Sequence, residues 1–163
     1  MTPALRQKAE IVIRSFQAAE IMIASAESCT GGLIMATLTS VAGSSAVVDR
    51  GFVTYTDAAK QEILGVDPGV LASHGAVSEP AACAMAEGAL ARSQAGASVA
   101  VTGIAGPGGG SDEKPVGLVH LAVAWKGRPT MHRREIYDGD RDAVREQTVT
   151  TALDMLLEGL NGE

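Results

Sequence analysis

Apolar positions along the chain follow two spacings, one typical of helices and one typical of strands. Helical spacing predicts helices over residues 4–18, Thr30–Val41, Asp57–Leu64, Glu79–Ala95 and Arg141–Leu157. Short apolar runs bounded by turn residues predict strands over Ile21–Ser25, Gly51–Tyr55, Ser98–Gly106, Gly117–Trp125 and Met131–Asp138. Because strands alternate with helices and the chain then forms a hairpin, we expect an α/β fold. The predicted architecture is a three-layer α/β/α single domain over residues 1–163, with a mixed, mostly parallel sheet.

Composition narrows the choice of function. Apolar residues make up 46% of the 163 residues and aromatic residues only 3%, so the core must consist mainly of aliphatic side chains and alanine. The net charge is −6 and no basic run occurs, which argues against a nucleic-acid partner. Cys29 and Cys83 have no metal-ligand spacing. The chain shows neither a signal-peptide pattern nor an apolar stretch of membrane-spanning length, so we expect a cytoplasmic protein without a membrane partner.

Three polar turns follow three of the predicted strands. They read "AESCTGG" at 26–32, "TYTD" at 54–57 and "TGIAGPGGG" at 102–110. In open α/β sheets, ligands bind at the carboxyl ends of the strands. We therefore expect the three turns to meet at one edge and to form the functional site.

Ser28 is the candidate nucleophile of the first turn. The signatures Gly-x-Ser-x-Gly and Ser-x-x-Lys are absent around it, and the positions of the three histidines give no reason to pair one of them with it. His120 alternates with apolar residues on one strand face, which favours a packing role. Backbone amides of the turn could stabilise an oxyanion, and they belong to Cys29, Thr30, Gly31 and Gly32. The alternative is that Ser28 only caps the following helix.

Lys60 is the candidate base for such a serine. With Asp57 as N-cap of a helix over 58–64, Lys60 would lie at the third helical position, where the helix dipole disfavours its positive charge. Partial burial would lower its pKa further, and a neutral lysine can act as the base for a serine. Tyr55 could bridge the two groups by hydrogen bonds. The alternative is an ordinary surface lysine and an ordinary strand-end tyrosine.

Two further features could bind a phosphate. The loop "TGIAGPGGG" could surround a phosphate or a ribose, although a glycine-rich loop alone is a weak signal. Arg141 and Arg145 share one helix face and could bind a phosphate together. Alternatively, they form solvated pairs with the nearby carboxylates of Asp138, Asp140 or Asp142.

Taken together, these stretches resemble the CinA C-terminal domain family. The resemblance covers nearly the whole chain, in order: "AESCTGG", "VAGSSAVVDRGFVTYTDAAKQEILGV", "VAVTGIAGPGGGSDEKPVGLVHLAV" and "GDRDAVREQTV". It implies a nicotinamide-nucleotide amidohydrolase, which converts nicotinamide mononucleotide and water to nicotinate mononucleotide and ammonia. It further implies a pyridine nucleotide as the small-molecule partner and no metal or other cofactor, and we expect a homo-oligomer.

The resemblance also assigns roles to residues. The serine nucleophile would be Ser28, the base Lys60 and the accompanying tyrosine Tyr55. Positions expected to bind substrate are Thr102, Gly103, Gly106, Arg141 and Arg145. The family usually has Asn where this chain has Asp57, and a negative charge there would raise the pKa of Lys60.

A different functional class fits the same resemblance. A non-catalytic nucleotide-binding or scaffold domain in competence or DNA-damage responses would keep the fold for partner contacts. Such a module has no chemical reason to keep Ser28, Tyr55 and Lys60 together, so the sequence favours the enzyme.

Overall fold

A computed structural model describes residues 1–162 and shows five strands between two layers of helices. The strands are β1 (Ile23–Glu27), β2 (Val48–Val53), β3 (Ala97–Gly103), β4 (Leu118–Trp125) and β5 (Met131–Ile136). The helices are α1 (Pro3–Ala18), α2 (Leu33–Thr39), α3 (Asp57–Leu64), α4 (Pro68–His74), α5 (Glu79–Ala91) and α6 (Arg141–Asn161). One 3₁₀ turn, Ser44–Ala46, precedes β2.

The sheet has the order β2-β1-β3-β4-β5. β1 pairs in parallel with both β2 and β3, whereas β4 pairs antiparallel with β3 and with β5. This mixed α/β/α arrangement confirms the predicted fold class. The carboxyl ends of β1, β2 and β3 therefore lie at the same edge of the sheet.

The two faces of the sheet are packed differently. Helices α1, α2 and α6 cover one face with large apolar side chains, which include Phe16, Ile34, Leu38 and Leu153 and share a core with the single tryptophan, Trp125 of β4. Helix α5 covers the other face, where much of the buried surface is alanine, and α3 and α4 pack against α5. Small residues allow close approach there: a Cβ added to Gly88 of α5 would lie 2.2 Å from the carbonyl oxygen of Leu64 in α3.

Several element boundaries differ from the sequence prediction. β1 starts two residues later than predicted because the amide of Ile21 donates to the carbonyl of Phe16 and so closes α1. It also extends to Glu27, which pairs with Val53 of β2. Helix α4 was not predicted, and α5 ends at Ala91 because the chain must turn there to enter β3.

The predicted N-cap of α3 was wrong. Thr56, not Asp57, caps the helix, because its extended backbone lets the Thr56 hydroxyl accept a hydrogen bond from the amide of Ala59 at 3.1 Å. Asp57 is the first helical residue. Lys60 is consequently the fourth helical residue rather than the third.

Candidate active site

The three polar turns leave neighbouring strands at one edge of the sheet. The amide of Ser28 donates to the carbonyl of Val101 in β3 at 3.1 Å, which continues the β1–β3 pairing by one residue. The amide of Thr54 donates to the carbonyl of Glu27 at 2.9 Å, which does the same between β2 and β1. The parallel sheet thus brings the turn after β1 next to the segment that leads into α3.

Ser28 and Lys60 meet in this region. Nζ of Lys60 lies 3.3 Å from Oγ of Ser28. Both residues are buried: Lys60 is 1% exposed and Ser28 is 9% exposed. The same nitrogen lies 3.0 Å from the carbonyl oxygen of Thr54 and 3.4 Å from that of Tyr55. A long, flexible side chain is therefore held at three points in a buried position.

Burial lowers the pKa of Lys60 below its ordinary value, because desolvation disfavours the ammonium ion. The negative charge of Asp57 acts in the opposite direction. The lowering by burial outweighs this opposing contribution. The structure therefore favours the neutral amine at this position more than water does.

The thiol next to the serine is kept protonated. Cys29 is buried, and desolvation together with the charge of Glu27 raises its pKa to about 12. A neutral thiol is a poor nucleophile. Of the adjacent hydroxyl and thiol, the hydroxyl of Ser28 is the group that touches a base.

Glu27 is the main feature of the site to which the sequence analysis gave no role. Its fully buried carboxylate accepts five hydrogen bonds. Two come from the hydroxyls of Ser25 and Thr30, at 3.2 and 2.7 Å. Three come from the amides of Gly32, Ile34 and Met35, each at 3.0 Å. An acidic residue that ends an otherwise apolar strand could have signalled this, because a buried charge needs such partners.

These contacts reduce the number of turn amides that remain free. Gly31 donates to the carbonyl of Ser28 at 3.1 Å, and Gly32 donates to Glu27. Both glycines have left-handed backbones, with φ of 60° and 100°, which side chains disfavour. Within residues 1–162, the amides of Cys29 and Thr30 donate to no other residue.

Tyr55 and Arg141 form a second contact at this edge. The hydroxyl of Tyr55 accepts a hydrogen bond from Nη2 of Arg141 at 3.0 Å, and Nη1 of the same arginine donates to the carbonyl of Gly106 at 2.9 Å. The Tyr55 side chain is 59% exposed. Its hydroxyl makes no hydrogen bond to Ser28 or Lys60 in the described part of the chain; its backbone carbonyl is the group that contacts Lys60. Arg141 thus connects the turn after β2 with the glycine loop after β3.

Arg145 contacts the nucleophile turn itself. Its Nη2 donates to the carbonyl of Thr30 at 2.9 Å, and its Nη1 lies 3.6 Å from a carboxylate oxygen of Asp142. One of the predicted acidic partners is therefore present, but the carbonyl contact was not foreseen. Asp140, another predicted partner, caps α6 by accepting from Ala143.

The remaining predicted substrate positions line the start of the glycine loop. Thr102 is 1% exposed, and its hydroxyl donates to the carbonyl of Ala76 at 2.8 Å, so its side chain fixes the segment before α5. A Cβ on Gly103 would lie 2.7 Å from a methyl group of Val119. The close packing against β4 therefore requires glycine at this position. Gly106 has a left-handed φ of 81°, and its carbonyl contacts Arg141.

Two of the three histidines contact each other. His120 packs in the sheet as predicted, with its Nδ1 2.9 Å from Nε2 of His132. Burial and the neighbouring imidazole lower the pKa of His120 to about 4, so it is neutral at pH 7. No histidine hydrogen-bonds to Ser28 within residues 1–162.

No group of three or more His, Cys, Asp or Glu side chains in the part of the chain that the structure describes is arranged to hold a metal ion. No helix within residues 1–162 has the length and apolar character needed to cross a membrane.

Sequence comparison places the chain among known proteins. The model of the CinA C-terminal domain matches residues 5–160. A CinA-like protein of Anaeromyxobacter dehalogenans (strain 2CP-C) is 52% identical over 147 residues, which are 90% of this chain but 36% of that protein. The nicotinamide-nucleotide amidohydrolase PncC of Escherichia coli (strain K12) is 49% identical over 152 residues, which are 93% of this chain and 92% of that protein. The chain therefore spans about a third of the first relative and nearly all of the second.

Solved structures agree with this placement. The competence/damage inducible protein CihA from Agrobacterium tumefaciens superposes with a TM-score of 0.95 at 52% identity, covering 99% of this chain and 98% of that one. A competence-damaged protein (CinA) superfamily protein from Escherichia coli superposes with a TM-score of 0.91 at 34% identity, covering 97% and 92%.

Proposed function

The chain belongs to the CinA C-terminal domain family, and we propose that it hydrolyses the carboxamide of nicotinamide mononucleotide to nicotinate mononucleotide and ammonia. Ser28 is the nucleophile and Lys60 the general base. The similarity to PncC over nearly the full length of both chains supports the substrate. The geometry around Lys60 supports the mechanism.

One observation carries the proposal: the positions of the three oxygens around Nζ of Lys60. A neutral amine has two hydrogens and one lone pair. The carbonyl oxygens of Thr54 and Tyr55 can accept the two hydrogens, at 3.0 and 3.4 Å. The third oxygen, the hydroxyl of Ser28 at 3.3 Å, is then left to donate its proton to the lone pair. The two carbonyls thus orient the base toward the nucleophile.

Acylation starts with transfer of the Ser28 proton to Lys60. Oγ attacks the carboxamide carbon, and the carbonyl oxygen becomes a tetrahedral oxyanion. The free amides of Cys29 and Thr30 stabilise this charge; the residue after the nucleophile supplies an oxyanion amide in other serine hydrolases too. Lys60 then protonates the leaving amino group, the carbon–nitrogen bond breaks, and ammonia departs.

Deacylation runs through the same groups in reverse order. Water gives one proton to Lys60 and attacks the ester carbon of the acyl-enzyme. The second tetrahedral intermediate breaks its bond to Oγ, and Lys60 returns the proton to Ser28. The enzyme is regenerated, and the carboxylic acid of nicotinate mononucleotide loses its remaining proton to solvent and leaves as the carboxylate.

Arg141 is the residue we assign to the nucleotide phosphate. A guanidinium has five N–H donors, and the contacts with Tyr55 and Gly106 occupy two of them. The remaining donors can bind a phosphate at the mouth of the site. Tyr55 then positions Arg141, and Thr102, Gly103 and Gly106 shape the loop that faces the ribose.

An ammonia-release assay tests the proposal. Wild-type protein should release ammonia from nicotinamide mononucleotide much faster than from free nicotinamide, because only the former has a phosphate for Arg141. Ser28→Ala should lower turnover by several orders of magnitude while the fold is kept. Undiminished turnover of Ser28→Ala would refute the serine mechanism. Tight nucleotide binding without any ammonia release would instead support the non-catalytic nucleotide-binding module.

A further inference from the structure

The buried carboxylate of Glu27 occupies the amino terminus of α2. No side chain at the N-cap position, Gly32, caps this helix. Glu27, which ends β1, instead reaches the amides of Gly32, Ile34 and Met35 and replaces the missing cap. Unpaired amides at a helix start attract anions. Here they are already saturated by a residue of the chain itself.

This saturation restricts where the substrate can be bound. A phosphate or an oxyanion cannot bind the amides of Gly32, Ile34 and Met35, because these amides already donate to the carboxylate of Glu27. The unused amides of the turn are those of Cys29 and Thr30. Glu27 also accepts the Thr30 hydroxyl at 2.7 Å, while Arg145 donates to the Thr30 carbonyl at 2.9 Å. Thr30, which supplies one of the two free amides, is therefore held through both its side chain and its carbonyl.

We propose that Glu27 is a positioning residue for the oxyanion-binding amides of Cys29 and Thr30. This inference rests on the proposed function. Glu27 is not placed to bind substrate, because donors of the chain itself occupy both of its carboxylate oxygens. It fixes the direction of the two free N–H groups, which must point at the oxygen of the tetrahedral intermediate rather than at that of the bound amide.

The five donors explain why the residue is a glutamate. One oxygen accepts from Ser25 and Met35, and the other accepts from Thr30, Gly32 and Ile34. In Glu27→Gln, one oxygen becomes an NH₂ group that faces at least one backbone N–H, so the turn must shift. In Glu27→Asp, the side chain is one methylene shorter and cannot reach both sets of donors.

The proposed role differs from acid–base chemistry in a measurable way. Lys60 contacts Ser28, Thr54 and Tyr55, and Asp57 is the carboxylate that raises its pKa. Glu27 makes no hydrogen bond to Lys60, and five donors already compensate the charge of Glu27. Neutralising Glu27 should therefore leave the pH dependence of the reaction in place. A positioning role predicts a fall in kcat without a shift of the pH profile and without a change in KM, since the affected contact forms only in the tetrahedral state.

Glu27→Gln is the test, with Ser98→Ala as the matched control. Ser98 is buried and donates to the carbonyl of Ala86 at 2.5 Å, so its loss also removes a buried hydrogen bond, but near the start of β3, at the other end of the strand from the site. Glu27→Gln should lower kcat by about 10- to 100-fold, less than the complete loss of an oxyanion donor. Its KM for nicotinamide mononucleotide and its pH profile should match the wild type. Unchanged kcat, or a shifted pH profile, would overturn the proposal.

A second pair of variants serves if Glu27→Gln fails to fold. Thr30→Val removes one donor to the carboxylate, and Thr30→Ser keeps it. Thr30→Val should have a lower kcat than wild type, and Thr30→Ser should keep most of the wild-type kcat. An equal kcat in the two variants would contradict the positioning role of Glu27.

If wild type releases no ammonia from nicotinamide mononucleotide, the proposed substrate is wrong. The positioning role of Glu27 is then tested by the rate at which a fluorophosphonate labels Ser28. That rate should fall in Glu27→Gln and remain unchanged in Ser98→Ala, and equal rates would overturn the positioning role.

Discussion

Nζ of Lys60 lies 3.3 Å from Oγ of Ser28, although 32 residues separate them in the sequence. The contact follows from the parallel pairing of β1 and β2. Ser28 leaves the carboxyl end of β1, and the chain leaves β2 at the same edge before it enters α3.

Two replacements of Lys60 should show whether the reaction needs its positive charge or its ability to accept a proton. Lys60→Arg keeps a positive charge that cannot be removed near neutral pH, and Lys60→Met removes the base but keeps an apolar chain of similar length. We expect both to lower kcat/KM by at least about 100-fold, since general bases contribute roughly 10²–10⁴-fold. Lys126→Arg, an exposed lysine in the β4–β5 turn, is the control. A Lys60→Arg enzyme with most of its turnover would show that the lysine only positions substrate.

Activity should rise with pH as Lys60 loses its proton, at a pH below the ordinary lysine pKa of about 10.4. Below the lowered pKa the ammonium has no lone pair, so it cannot accept the Ser28 proton. The charge of Asp57 raises the pKa of Lys60. Asp57→Asn should therefore move the rising limb of kcat/KM to lower pH. Glu62→Gln makes the same charge change at an exposed position of α3 and is the control. It should leave the pH dependence of kcat/KM unchanged.

Stability should also depend on Lys60. Because its folded-state pKa is lowered, the unfolded chain binds more protons between that pKa and about 10.4, so stability rises with pH across this window. The contribution is fully present above the unfolded-state pKa and is lost as pH falls through the folded-state pKa. Lys60→Met has no ammonium to desolvate. The variant also loses the contacts of Nζ, which costs stability at every pH. The Tm of Lys60→Met minus that of wild type should therefore be larger at pH 6 than at pH 10; a Tm difference that is the same at both pH values would contradict the prediction.

The two arginines of α6 should affect different kinetic constants. Arg141 contacts the exposed Tyr55 hydroxyl and the glycine loop, so Arg141→Ala should chiefly raise KM for the nucleotide. Arg145 holds the carbonyl of Thr30, so Arg145→Ala should chiefly lower kcat. Arg14→Ala, which removes an exposed charge from α1, controls for net charge. If the substrate without its phosphate has the same kcat/KM as the nucleotide, Arg141 has only a structural role.

The close approach of α5 to α3 predicts a steric limit at Gly88. A Cβ there would lie 2.2 Å from the carbonyl oxygen of Leu64, so Gly88→Ala must push the helices apart. Overpacking of this kind costs about 1–3 kcal/mol. Gly108→Ala meets no atom within 4 Å and is the control. Urea unfolding should show a lower midpoint for Gly88→Ala alone.

The sequence by itself determined the layer architecture and the order of the polar turns. Apolar periodicity is a local property, so it identified the strand before Ser28 and the helix that contains Lys60. Parallel strands end at the same edge whatever their exact register, so the meeting of the turns could be predicted as well. The exact N-cap of α3 could not, because Thr56 and Asp57 are both good caps and backbone geometry selects between them.

Only the tertiary structure decided how side chains at this edge are paired. The sequence places Glu27 among the polar residues of a turn and does not predict its partners. Its contact with the amides of Gly32, Ile34 and Met35 forms only when β1 and α2 pack together. Arg145 lies 115 residues from Thr30, and Arg141 lies 86 from Tyr55, so no local pattern relates either pair. The lowered pKa of Lys60 likewise depends on its burial in the folded structure. Spacing fixes which face of an element a residue occupies, but hydrogen-bond partners and desolvation depend on which elements pack together.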